Sequence, residues 1–255
     1  MRSRIGVLIG LLLSCPAGRA QPPARETGKN EVVVASAANL TDAFQRVGQE
    51  FEAQSGIHPV FSFASTAQLT QQIENGAPFD VFAAADATHV GELERKGLLL
   101  AGSRAVYARG ALALWIPPNS QARIDRVEDL TSSAVRFLAI AKPELAPYGQ
   151  AAVETLTKLG IWDRLRSKVV YAENISAAKQ YGTSNNADAV FTAYSLVLKE
   201  GGKVIRVDES LHKPIDQELG IVAGAKHLDA ARKFAAFLLT GKGREVLAGF
   251  GYTLP

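Results

Sequence analysis

Cysteine is nearly missing from this chain of 255 residues, and the position of the only one matters. Cys15 lies in the first twenty residues, so everything after them has no thiol to attack a substrate or hold a soft metal. A disulfide within the rest of the chain is excluded, and a chain of this length can bury a core that needs no covalent staple. Histidine is scarce. His58, His89, His212 and His227 are scattered without the spacing of a metal site. No apolar run after residue 20 approaches the roughly 20 residues that cross a bilayer. Repeats, heptads and low-complexity tracts are lacking, as are G-x-S-x-G, G-x-x-x-x-G-K-[ST] and G-x-G-x-x-G.

What is present begins with "MRSRIGVLIGLLLSCPAGRA". Arg2 and Arg4 precede an apolar run from Ile5 to Leu13, and Gly18 and Ala20 stand at the −3 and −1 spacing of a cleavage site. Residues 1–20 read as a secretory signal peptide, with a membrane anchor as the bland alternative. "LLSC" loosely resembles a lipobox, and processing at Cys15 would make a lipoprotein. Removing Arg2, Arg4 and Arg19 from the 28 basic residues leaves 25, equal to the 25 acidic ones. The basic isoelectric point thus belongs largely to the leader. With no Lys/Arg stripe and no basic tail, nucleic-acid binding is not expected.

Apolar strand-like runs alternate with helical patterns over the rest of the chain. "EVVVASA" reads as a buried strand, and Leu40, Phe44, Val47 and Phe51 then share one helical face. The alternation continues through "GIHPVFSF", "FDVFAAAD", "ALALWI", "VRFLAIA", "KVVYA", "DAVFTAY", "KVIRV" and "LGIVAG". This predicts an α/β fold of βαβ units with mostly parallel sheets flanked by helices. "WIPPNS", residues 115–120, and "KPIDQELGIVAG", residues 213–224, read as crossings between two lobes. The expected division is 31–113 plus 220–255 for lobe 1 and 114–219 for lobe 2, with the last helix returning to lobe 1. Two lobes joined by two crossings enclose a cleft.

Four strand-to-helix junctions carry small, hydroxyl or amide groups where a helix should start. They are Ala37-Ala38-Asn39, Ser65-Thr66, Ala146-Pro147-Tyr148-Gly149 and Asn174-Ile175-Ser176. A helix start leaves N–H groups unpaired and carries a partial positive charge, and an anion can satisfy both. At any one junction an ordinary N-cap is the simpler reading. Four together, two in each expected lobe, point toward a shared anion site. None contains Lys or Arg. Neutral donors suit a fully ionised oxyanion that has no proton to give.

The residues that carry these junctions also carry a resemblance. "VVVASAANLTDAF", "GAPFDVFAAAD", "AIAKPELAPYGQAAVETL" and the closing "GYTLP" resemble the periplasmic molybdate-binding proteins of ABC transporters, from about Val32 to Pro255. The resemblance implies a type II periplasmic binding protein fold with two hinged lobes, located in the periplasm. It implies capture of molybdate or tungstate without cofactor or cationic metal, by a monomer that delivers to a membrane permease. It places oxyanion contacts on Ala38, Asn39, Thr66, Tyr148 and Ile175, with Ser65 adjacent. The loop "ASTA" departs from the glycine-flanked loop of many members, which makes Thr66 the weakest of these placements. A late tyrosine of some members falls near Thr192, with Tyr194 close by.

Alternatives stay open at this point. One is a binding protein for another tetrahedral anion such as sulfate or phosphate. Another is a secreted α/β hydrolase or transferase, which would need a nucleophile beside a positioned base. Asp80 and Asp86 read as structural, with Asp86 capping the next helix, and Trp115 and Trp162 read as packing residues.

Overall fold

The computed structural model describes residues 30–255, so the expected leader and Cys15 lie outside the described residues. In chain order the first half contains β1 (Glu31–Ala37), α1 (Thr41–Ser55), β2 (His58–Ala64), α2 (Thr66–Glu74), β3 (Val81–Ala83), α3 (Thr88–Arg95), β4 (Ala105–Gly110) and β5 (Leu112–Ile116). There follow β6 (Leu138–Ala141), α4 (Pro147–Lys158), α5 (Trp162–Leu165), β7 (Val169–Ala172), α6 (Ile175–Thr183), β8 (Ala189–Ala193) and α7 (Tyr194–Val197). The chain ends with β9 (Lys203–Arg206), β10 (Ile215–Ile221), α8 (Leu228–Thr240) and α9 (Lys242–Gly249).

The strands form two sheets of five, ordered β2-β1-β3-β10-β4 and β7-β6-β8-β5-β9. Each sheet is mixed. The βαβ units pair in parallel, β1 with β2 and β3, and β6 with β7 and β8. The antiparallel pairs involve β10, β4, β5 and β9, the strands on either side of the passages between sheets. Parallel strands need helical crossovers, so the helix starts gather at the carboxyl ends of the parallel strands in both sheets.

The passages differ in place from those suggested by the prolines. β5 is hydrogen-bonded on both sides, to β8 and β9, so it belongs wholly to the second sheet. Only Ala111 separates it from β4 of the first sheet. Pro117-Pro118 merely terminates β5. The return passage lies in Val207–Pro214, because β10 already belongs to the first sheet from Ile215. Gln217 and Glu218 interrupt the apolar run there and hide the strand from a hydropathy reading. β4, "AVYARG", is likewise masked by its polar edge positions.

The predicted apolar face of α1 is realised. Leu40, Phe44, Val47 and Phe51 are all buried, and Phe44 and Phe51 meet Phe234 of α8 edge-on. Gly56 closes the helix at φ 68°, a conformation that costs glycine little. Helix α8 packs against β1 and β10, and α9 against α1, so the chain end returns to the first sheet.

Candidate functional site

Hydrogen bonds running from one half of the molecule to the other tie the four junctions together. Ser176, in the first turn of α6, donates its hydroxyl to the Ala38 carbonyl at 2.8 Å. The Ala67 N–H, in the first turn of α2, donates to the Leu145 carbonyl just ahead of α4 at 3.2 Å. Gln217 of β10 donates from Nε2 to the Tyr148 hydroxyl of α4 at 3.0 Å. Ala38, Asn39, Ser65, Thr66, Tyr148 and Ile175 are all buried. A groove of about 240 Å³ runs between the halves, with Ala85 and Asp86 on one wall and Pro147, Gln150 and Glu154 on the other, and none of the six residues lines it.

The first junction follows from β1. Its small residues end in a tight turn over Ala38–Leu40, and the Thr41 hydroxyl returns to the Ala38 carbonyl at 2.8 Å. Asn39 is the most constrained residue of the site. Its Nδ2 donates to Gln217 Oε1 and to the Tyr252 hydroxyl, each at 2.9 Å. Its carbonyl accepts from Tyr252 at 2.9 Å and from Ser195 at 3.1 Å. The side-chain amide therefore holds the turn in place.

The second junction has two hydroxyls in different states. Ser65 precedes α2 as its N-cap, and both its N–H and its hydroxyl donate to Gln68 Oε1, at 3.3 and 2.8 Å. Thr66 Oγ1 instead accepts the Ala85 N–H at 3.2 Å. That contact fills a lone pair and leaves the Thr66 proton to be given elsewhere.

At the third junction Ala146 is extended and Pro147 opens α4, where a missing N–H costs nothing. Tyr148 then turns inward. Gly149 is required at this turn, since a Cβ there would stand 2.1 Å from the Ala141 carbonyl oxygen. At the fourth, Asn174 accepts the Ala177 N–H at 2.9 Å as a side-chain N-cap. The first turns of α2, α4 and α6 leave the N–H groups of Thr66, Tyr148, Ile175 and Ser176 without an intrahelical acceptor.

Three tyrosines around the site keep their protons. Burial raises Tyr107 and Tyr148 well above the usual tyrosine range, and it pushes Tyr252 up to about 12. In each case removal from water is the main cause, because a phenolate would lose its hydration.

Sequence reasoning missed Gln217, Tyr107 and Ser195, named Ser176 only as part of the fourth junction, and held Tyr252 only as part of "GYTLP". Gln217, Tyr107, Ser195 and Tyr252 lie on elements remote in sequence from the junctions. Gln217 stands between Asp216 and Glu218, so nothing in the local sequence set it apart. Thr192 is fully buried on β8, and its hydroxyl has no partner among the described residues. Tyr194 sits under the Arg206 guanidinium, 4.9 Å from the ring centroid.

The remaining polar candidates are structural. Asp86 accepts the His89 N–H at 2.9 Å and its Nδ1–H at 2.8 Å, which caps α3. The hydrogen bond to Asp86 raises the His89 pKa. Asp80 accepts from the Val33 and His227 backbone N–H groups and from His227 Nδ1, bracing β1 against the start of α8. His212 Nδ1 meets the Lys213 carbonyl. Among the described residues, none of these histidines is hydrogen-bonded to a hydroxyl. Glu173 is exposed to solvent and pairs with Lys142 at the surface.

Residues 32–253 match the model of the bacterial extracellular solute-binding protein family. The chain belongs to that family. Among its relatives is the molybdate-binding protein ModA of Azotobacter vinelandii, 38% identical over 99% of this chain and 98% of that one. The ModA protein of Rhodobacter capsulatus is 34% identical over 97% and 93%. In three dimensions this solute-binding protein superimposes on the periplasmic molybdate-binding protein of A. vinelandii with a TM-score of 0.84, covering 88% of this chain and 99% of that one at 30% identity. The sulfate-binding protein SubI of Mycobacterium tuberculosis gives a TM-score of 0.76 at 14% identity, a likeness of fold alone. The fold and kinship expected from the sequence motifs are both met.

Proposed function

We propose that this protein captures molybdate or tungstate between its two halves and presents it to the membrane permease of an ABC transporter. It does so as an exported, periplasmic monomer, without enzymatic activity and without a cofactor. Its lobes, divided at Ala111 and at Val207–Pro214, close over the anion by hinge motion and select the closed state through contacts made from both sides.

The observation that carries this reading is the state of two buried hydroxyls. Thr66 and Tyr148 each accept a hydrogen bond from a protein N–H donor, so each has its proton left for a ligand. With the peptide N–H groups of Ala38, Asn39 and Ile175 they make a ring of donors without any cation. Ser65 holds the second turn through Gln68. Such a ring suits a dianion with no proton of its own. Charge-assisted bonds of about 1.5–3 kcal/mol each can outweigh desolvation and reach micromolar affinity, roughly −8 kcal/mol.

Titration calorimetry of the chain without residues 1–20 against molybdate, tungstate, sulfate and phosphate tests the proposal. Tight binding of the first two, with sulfate weaker and phosphate weakest, is expected. Preference for phosphate would overturn it, because a protonated anion needs a buried acceptor among its contacts.

A further inference from the structure

We infer that Gln217 is the positioning residue that fixes which way the Tyr148 hydroxyl points its proton. The inference deepens the oxyanion reading and rests on it.

Gln217 is fully buried, with no exposed surface. It is placed by an irregularity in the first sheet. Gln217 pairs with Ala108 and Glu218 with Val106, so Tyr107 is an extra residue bulged out of β4. The bulge brings the Tyr107 hydroxyl within 3.0 Å of Gln217 Oε1. The same oxygen accepts from Asn39 Nδ2 at 2.9 Å. The Tyr107 hydroxyl also lies 2.9 Å from the Ala84 carbonyl and has a single proton, so Asn39 Nδ2 is the donor that holds Oε1 toward its own half of the molecule. With Asn39 Nδ2 turned toward Gln217, the reverse sense of the Gln217 amide would set donor against donor. Nε2 is left facing the other half, where it donates to Tyr148 at 3.0 Å.

The consequence falls on Tyr148. A phenol has one proton and accepts at its oxygen. With Nε2 occupying the acceptor side, the hydroxyl can meet an anion only as a donor. Gly110 makes the contact possible, since a Cβ there would lie 1.9 Å from the Tyr148 hydroxyl and 2.6 Å from Gln217 Nε2. Burial keeps the phenol protonated, in line with this role. Gln217 touches no ligand itself. It acts through Tyr148, and it biases the site toward anions that bring no proton.

A double-mutant cycle tests this. Gln217→Met keeps the length of the side chain and removes its hydrogen bonds. Molybdate affinity should fall about 10-fold or more in the wild-type background, and less than about 2-fold in Tyr148→Phe, where the hydroxyl it orients is gone. The ratio of molybdate to phosphate affinity should narrow in Gln217→Met, a change that general loosening of the fold would not produce. Equal losses in both backgrounds, with wild-type binding intact, overturn the inference alone. A wild-type chain that binds none of the four anions overturns it together with the function on which it rests. Should Gln217→Met not fold, nuclear magnetic resonance of glutamine-labelled protein decides. The Gln217 side-chain amide protons should be protected from solvent exchange in the wild type and lose that protection in Tyr148→Phe. Unchanged protection overturns the assignment.

Discussion

Ser176 and the Ala38 carbonyl meet at 2.8 Å, joining the first turn of α6 to the turn that follows β1. The bond spans the two sheets and involves neither the Thr66 nor the Tyr148 hydroxyl. Its energy therefore bears on closure more than on the anion itself. Ser176→Ala should weaken molybdate binding about 2- to 10-fold, the equivalent of one neutral hydrogen bond, with little change in thermal midpoint. Calorimetry alongside thermal melting checks this, and undiminished affinity would show that the contact does not contribute to closure.

Asn39→Asp replaces the two donations from Nδ2 with a carboxylate. The new oxygen would face Gln217 Oε1, acceptor against acceptor, and would put a negative charge in the ring of donors. Molybdate affinity should drop by at least about 100-fold. Wild-type affinity in this variant, measured by calorimetry, would remove Asn39 from the site.

Gly110→Ala should impair binding more than folding. The added methyl collides with the tip of Tyr148, which belongs to the other half of the molecule and can withdraw in an open arrangement, and with Gln217 Nε2, the far end of a flexible side chain that has to shift within its own half. An affinity loss of about 10-fold or more, with the thermal midpoint of the anion-free protein lowered by only a few degrees, is expected. Comparable losses of stability and affinity would contradict this.

The buried tyrosines predict an alkaline limit. Tyr252 in the folded protein is pushed up to about 12, against about 10 when unfolded. Between those values the unfolded chain releases a proton that the folded one retains. The contribution to stability is fully present below pH 10 and is lost as pH rises toward 12, by roughly 2–3 kcal/mol at most for this residue. Tyr107 and Tyr148 act in the same direction. Urea denaturation should give stability falling above pH 10, more shallowly in Tyr252→Phe.

Asp80 gives the contrasting case. Asp80→Ala leaves the Val33 and His227 N–H groups without their acceptor in a buried place. A cost of about 2–5 kcal/mol should lower the thermal midpoint by roughly 5 °C or more. Because no bond from Asp80 reaches the anion site, molybdate affinity in the folded fraction should stay within about 2-fold of wild type. A large affinity loss would tie this residue to the site after all.

The chain itself determined the layers and the junctions. Valine-rich runs and the i, i+4, i+7 face from Leu40 to Phe51 reflect local periodicity, and local periodicity is what a single sequence displays. The small, hydroxyl and amide groups of the four junctions stood out beside their helix starts, and the family resemblance singled out Asn39, Thr66, Tyr148 and Ile175 among them. Tertiary structure alone decided how they are used. Gln217 is 178 residues from Asn39 and 69 from Tyr148, so no spacing rule links them. Whether Ser65 or Thr66 keeps a proton for a ligand depends on Gln68 and Ala85, and whether the Asn39 amide faces outward depends on Tyr252. The passages between sheets also escaped the sequence, because Pro117-Pro118 ends a strand visibly whereas Ala111 changes sheet without any chemical mark. Hydrogen-bond direction is a property of the assembled neighbours, and a chain read in order shows only candidates for it.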